Sequence, residues 1–172
     1  LDDGSRANLV SAALFGDGAA AAVVSKAPAK GPAFEIVAHK SLLFPGTLDL
    51  MGFDLRTEGL TIVLNRRIPA LIKRELRPNV DRFLDEQGVS LSDLNFFVLH
   101  PGGARVLDNV QQVLELSDAQ VAPAREMLRH NGNLSSASVL FVGQDILESP
   151  GFSKDQGLGL LCAMGPGFAV EM

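Results

Sequence analysis

Asn95-Phe96-Phe97-Val98-Leu99-His100-Pro101-Gly102-Gly103-Ala104 passes from an apolar run to a glycine-rich turn and on into a helical pattern. The near-continuous apolar character of residues 95–99 is that of a strand covered on both faces. Beyond the turn, Val106, Leu107, Val110, Val113 and Leu114 share one helical stripe, which predicts a helix over 104–116. Strand, turn and helix in this order put His100 at the carboxyl end of a strand, the edge where open α/β sheets bind ligands. A second stretch, Gly132-Asn133-Leu134-Ser135-Ser136-Ala137, reads as a helix entry, with Ser135 or Ser136 expected as its cap. Asn133 then lies just ahead of an electropositive helix end, so a histidine and an amide can both face developing negative charge.

Working outward, residues 136–148 read as a buried helix, because Val139, Leu140, Phe141, Val142, Ile146 and Leu147 leave it little polar face. Ser117 is the expected cap of a further helix running to His130, interrupted by Pro123. Residues 157–164 and 168–172 read as strands joined by Gly165-Pro166-Gly167. Upstream, Leu71, Ile72, Leu76, Val80, Phe83 and Leu84 predict a long helix over 68–87. Pro69 suits its first turn, Pro78 is expected to kink it and Gly88 to end it. Residues 60–64 form a short strand candidate, and 44–59 read as irregular. Residues 19–26 and 34–43 read as two strands of a hairpin, turned by the Pro28 to Pro32 segment. The sum is one α/β layer domain with a mixed sheet of about five strands and helices on its faces.

Composition narrows the function. The chain of 172 residues is 47% hydrophobic, ample for one core. With 15 Lys and Arg against 20 Asp and Glu it carries a net charge of −5 and no basic stripe, which argues against nucleic acid or an anionic membrane as partner. No apolar run approaches the roughly 18 residues of a membrane span. A single cysteine, Cys162, forms no internal disulfide framework and points to a reducing, cytoplasmic setting. Its place in Leu160-Leu161-Cys162-Ala163 reads as a buried structural thiol. His39, in an expected strand, and His130, near a helix end, read as structural; Asp17, between two glycines, reads as a turn residue. No metal site is expected. The opening Leu1-Asp2-Asp3-Gly4, with no initiator Met and no signal-peptide pattern, reads as the start of a fragment.

Four motifs together carry a resemblance. Leu14-Phe15-Gly16-Asp17-Gly18-Ala19-Ala20, His100-Pro101-Gly102-Gly103, Gly132-Asn133-Leu134-Ser135-Ser136-Ala137 and Gly165-Pro166-Gly167-Phe168 resemble, in order and spacing, the type III polyketide synthases of the chalcone and stilbene synthase family. The resemblance spans nearly all of residues 1–172 but only the carboxyl-terminal half of that family's thiolase-type fold. The Phe15 to Ala19 motif is shared with ketoacyl synthases and marks the superfamily; His-Pro-Gly-Gly is sharper. Leu43-Phe44-Pro45-Gly46-Thr47 and Met51-Gly52-Phe53-Asp54 are similar to bacterial rather than plant members.

The resemblance implies an acyltransferase that condenses an acyl-CoA starter with malonyl-CoA, both coenzyme A thioesters being substrates, with no tightly bound cofactor. It assigns His100 and Asn133 to the enolate left by malonyl decarboxylation, whose oxygen fixed N–H donors stabilise without a metal. It assigns Gly102 and Gly103 to close approach of the pantetheine arm, with Arg105 nearby, a position equally suited to a solvated helix charge. Phe53, Leu60, Ile62 and Ser135 match cavity-lining positions, although Leu60 and Ile62 also suit plain core packing. Gly165, Pro166 and Gly167 match the loop that scaffolds the cavity, although a hairpin turn uses the same residues. The plant chalcone pattern has Gly at the Phe53 position and Phe at the Ile62 position, so cavity space is redistributed here. The family's nucleophilic cysteine belongs to the amino-terminal half, and nothing in this chain reproduces its context. The chain alone is therefore expected to be inactive, and the intact protein to be a homodimer. Alternative readings are a ketoacyl synthase III-like condensing enzyme and a noncatalytic half-domain that binds acyl-CoA or a partner half.

Overall fold

A computed structural model of the chain describes residues 6–27, 29–57, 59–153 and 156–172. Its first helix, α1 (Arg6–Leu14), leads into a segment over 16–40 whose described residues form no helix or strand. Three short strands follow, β1 (Ser41–Leu43), β2 (Met51–Arg56) and β3 (Gly59–Leu64). The remainder runs α2 (Ile68–Asp85), β4 (Leu94–Leu99), three successive helices α3 (Ala104–Leu114), α4 (Asp118–Asn131) and α5 (Ala137–Glu148), and the strands β5 (Leu158–Gly165) and β6 (Ala169–Glu171).

The main sheet is mixed, in the order β1-β6-β5-β4. β4 and β5 run parallel, with Leu99 opposite Cys162, whereas β5–β6 and β6–β1 are antiparallel. Helices cover both faces. Ile72 and Leu76 of α2 share a crevice with Met164, Phe168 and Val170 of the β5–β6 region. Phe97 of β4 lies in a cleft with Leu84, Leu114 and Leu116, while Val98 faces Gly143 of α5 on the other side. The deepest side chains, Val80, Leu107, Val121 and Val142, are fully shielded and come from α2, α3, α4 and α5. Each such burial is worth about 1.5–3 kcal/mol, so the helix stripes are the main source of cohesion.

Local chemistry explains the ends of these elements. Pro69 occupies the first turn of α2, and the helix continues through Pro78, which sits on its exposed face. Ser117 caps α4 reciprocally: its hydroxyl accepts from the Gln120 amide, and Gln120 Oε1 accepts from the Ser117 amide.

Several expectations need correction. Residues 19–26 and 34–40 do not form a hairpin, and His39 lies in no strand. Only the end of the second segment pairs, residues 41–43 with β6 and Lys40 through both backbone hydrogen bonds with Met172. An apolar run becomes a strand only when a neighbour completes its backbone hydrogen bonds, and among the described residues none does so for 19–26. Conversely, residues 51–56 within the supposedly irregular stretch pair with β3 as a separate two-stranded hairpin. Neither Ser135 nor Ser136 caps α5 through its side chain: Ser136 is already helical and Ser135 has φ 57°. Residues 1–4, read as the start of a fragment, lie outside the described residues.

Candidate functional site

His100 leaves β4 with its backbone still in the sheet, its amide donating to Cys162 O at 2.9 Å. The next turn is tight, Gly102 N donating back to His100 O at 2.9 Å. The imidazole folds over this turn: a Cβ on Gly102 would lie 3.6 Å from His100 Cδ2 and 3.7 Å from Nε2. Burial lowers the His100 pKa below its ordinary 6.5, so the ring is neutral at neutral pH and offers one N–H.

Asn133 arrives from the other side. It is 4% exposed, and its Nδ2 donates to Gly102 O at 3.2 Å, while its Oδ1 accepts from Ser135 N at 2.8 Å. One Nδ2 hydrogen remains for a ligand. The two motifs, distant in sequence, are thereby joined at Gly102. They also bring together the amino-terminal ends of α3 and α5, neither of which has an acidic residue in its first turn. Two uncompensated helix ends favour negative charge in this corner.

A third segment locks Asn133 in place. Its amide donates to Leu14 O at 2.8 Å, and its carbonyl accepts from Gly16 N at 3.1 Å, forming an isolated parallel bridge with Phe15. The approach is so close that a Cβ on Gly16 would lie 2.4 Å from Asn131 O and one on Gly132, where φ is 72°, would lie 2.8 Å from Leu14 O. Sequence reading took the Phe15-Gly16-Asp17-Gly18 motif as a superfamily mark and missed this backbone contact. It also missed Ser138, whose fully buried hydroxyl accepts from Leu134 N at 2.8 Å. The only trace of Ser138 in the sequence is one hydroxyl in an otherwise apolar helix face.

The remaining candidates fall into separate places. Phe53 and Ile62 face each other directly across the β2–β3 hairpin, with Phe53 61% exposed. Leu60 pairs through its backbone with Leu55 in the same hairpin; its side chain lies outside the described residues. The Gly165-Pro166-Gly167 turn joins β5 to β6 and is tied to β2 by Gly167 N donating to Met51 O at 3.3 Å. The Thr47 hydroxyl braces the same turn, donating to Gly167 O and accepting from Phe168 N. Ser135 follows Asn133 and is exposed. Gly103 precedes α3, whose Leu107 amide it accepts, and Arg105 is exposed in the first turn of that helix.

Cys162 is 1% exposed, and burial pushes its thiol up to about 12, so it stays protonated. A protonated, inaccessible thiol is no nucleophile. His39 and His130 are exposed, the latter beside Glu126 at 3.3 Å. Among the described residues there is no group of three or more His, Cys, Asp and Glu that could hold a metal, and no helix long and apolar enough to cross a membrane.

Comparison with known proteins identifies the family. Residues 35–172 match the family model for chalcone and stilbene synthases, C-terminal domain. The chain is 37% identical over 177 residues to a putative chalcone synthase of Bacillus subtilis (strain 168), covering 99% of this chain and 48% of that protein. It is 40% identical over 173 residues to the 1,3,6,8-tetrahydroxynaphthalene synthase of Streptomyces peucetius subsp. caesius, covering 98% and 45%. The fold is similar to the crystal structure of 1,3,6,8-tetrahydroxynaphthalene synthase from Streptomyces coelicolor A3(2), a bacterial type III polyketide synthase. That match has a TM-score of 0.73 and 32% identity over 78% of this chain and 38% of the other. The chain thus spans about half the length of the curated relatives it matches. Its mixed α/β architecture, the four ordered motifs and the match over residues 35–172 show that the chain belongs to the chalcone and stilbene synthase family, aligning with its carboxyl-terminal domain.

Proposed function

We propose that this chain is the carboxyl-terminal half of a type III polyketide synthase, an acyltransferase that condenses an acyl-CoA starter with malonyl-CoA. When the malonyl carboxylate leaves as carbon dioxide, its bonding electron pair passes into an enolate whose oxygen gains nearly a full charge. His100 and the free Asn133 N–H bind that oxygen. The observation that carries this reading is the meeting of the two side chains at Gly102, in a corner flanked by two helix ends with no acid in their first turns. Fixed donors of this kind act without reorganising, and loss of one typically costs about 3 to 4 kcal/mol, or roughly 10²- to 10³-fold in rate.

The enolate carbon then attacks the thioester of the starter or growing chain, forming a carbon–carbon bond and expelling a thiolate. That thiolate is not Cys162, which is buried and protonated. The nucleophile comes from the amino-terminal half that the family's longer members carry. Gly102 and Gly103 leave room for the pantetheine arm, and Arg105 stands exposed near its path. Phe53, Leu60, Ile62, Ser135 and the Gly165-Pro166-Gly167 turn shape the cavity for chain growth. Exposed apolar side chains, with Val23 at 97%, Leu55 at 83% and Ile36 at 71%, are covered by the amino-terminal half and the second subunit of a cytoplasmic homodimer.

The test is product analysis by mass spectrometry, supplying malonyl-CoA with a series of acyl-CoA starters to the full-length protein and to this chain alone. The full-length protein should give malonyl-dependent polyketides and the chain alone none. Sustained turnover by the chain alone, or no malonyl-dependent product from the full-length protein with any starter, would overturn the proposal.

A further inference from the structure

The orientation of Asn133 depends on a turn that does not hold itself. Asn133 Oδ1 accepts from Ser135 N, so the position of that peptide sets the plane of the amide and the direction of Nδ2. Ser135, however, sits at φ 57°, a left-handed conformation costing a non-glycine residue about 1 kcal/mol or more. Upstream, the bridge to Leu14 and Gly16 fixes the Asn133 backbone. Downstream, two hydrogen bonds close over the turn, and both come from Ser138: its hydroxyl accepts from Leu134 N at 2.8 Å and its amide donates to Ser135 O at 3.1 Å. The hydroxyl is fully buried, which makes its acceptor hard for water to replace.

We propose that Ser138 is a positioning residue for Asn133: its buried hydroxyl holds the strained Leu134–Ser135 turn and so keeps the Asn133 N–H aimed at the reacting oxygen. This rests on the enolate reading for Asn133. The serine touches no substrate; it acts only through the amide. An alanine leaves the Leu134 N–H without its partner, and relief of the Ser135 conformation then lets the amide turn.

The test is a double-mutant cycle in the full-length protein, following carbon dioxide release from labelled malonyl-CoA. Ser138→Ala should lower kcat about tenfold, the equivalent of roughly one hydrogen bond, with little change in KM. Ser138→Cys, which keeps the volume and a weak acceptor, should recover part of that loss. In an Asn133→Ala background, Ser138→Ala should add nothing, because there is no amide left to position. An unchanged kcat in Ser138→Ala beside a strong loss in Asn133→Ala would overturn the positioning role alone. A full additional loss in the Asn133→Ala background would mean that Ser138 acts on general structure and would overturn it equally. No effect of Asn133→Ala would instead remove the enolate reading beneath it.

Discussion

The corner around His100 and Asn133 and the β2–β3 hairpin are built on opposite principles. In the corner, three segments distant in sequence are tied by backbone and side-chain hydrogen bonds, and glycine is required because neighbouring backbone leaves no room. In the hairpin, two adjacent strands pair only with each other, Leu55 is 83% exposed and Gly52 has nothing within 4 Å of where its Cβ would be. The proposed role explains the difference: donors for a reacting oxygen must be rigid before the substrate arrives, and the corner is fixed by the fold of this chain. On the proposed reading the hairpin is a cavity wall that can vary in size, and its apolar side chains stand on the exposed surface of this chain.

That contrast breaks most sharply at two glycines. Gly16→Ala places a methyl against the Asn131 carbonyl, a backbone atom that cannot swing aside, and should destabilise the chain by about 2–3 kcal/mol. Gly52→Ala meets nothing and reduces the freedom of the unfolded chain, so it should be neutral or stabilising by up to about 1 kcal/mol. Urea unfolding of both variants checks the pair; equal effects would mean that corner and hairpin are packed alike.

A smaller effect should sharpen the electrostatic side of the comparison. Because burial lowers the His100 pKa in the fold, the unfolded chain binds this proton more readily. Its contribution to stability is therefore complete above pH 6.5 and is lost as pH falls through the depressed folded value. His100→Gln should flatten the stability profile between pH 7 and 5, read by denaturant midpoint; an unchanged slope would mean that the buried ring carries none of the pH dependence.

Legibility from sequence follows the same division. The apolar periodicities of α2, α3 and α5, and the continuous run of β4, predict elements that bury their own side chains against one another. His100 and Asn133 were visible because each opens a helix through a recognisable turn. Residues 19–26 misled because a run of small apolar residues records what a strand would bury, without recording whether a neighbour is there to pair with it. The pairing of residues 51–56 was legible in principle, since Met51, Phe53 and Leu55 alternate with Gly52, Asp54 and Arg56 at the period of a strand; the flanking Pro45, Gly46 and Gly59 make the stretch read as irregular instead. Ser138 and the Gly16 contact were illegible for another reason: their roles lie in hydrogen bonds and close approaches to Leu134, Asn133 and Asn131, which no local pattern encodes.

The central claim is that His100 and Asn133 together bind the enolate oxygen, and release of labelled carbon dioxide from malonyl-CoA by the full-length protein tests it most directly. His100→Ala and Asn133→Ala should each lower the rate roughly 10²- to 10³-fold while thermal unfolding stays close to that of the unsubstituted protein. The double variant should lose less than the sum of the two free-energy penalties, because the residues act as one unit. Unsubstituted rates in both folded single variants would contradict the account and leave the two residues a structural role only.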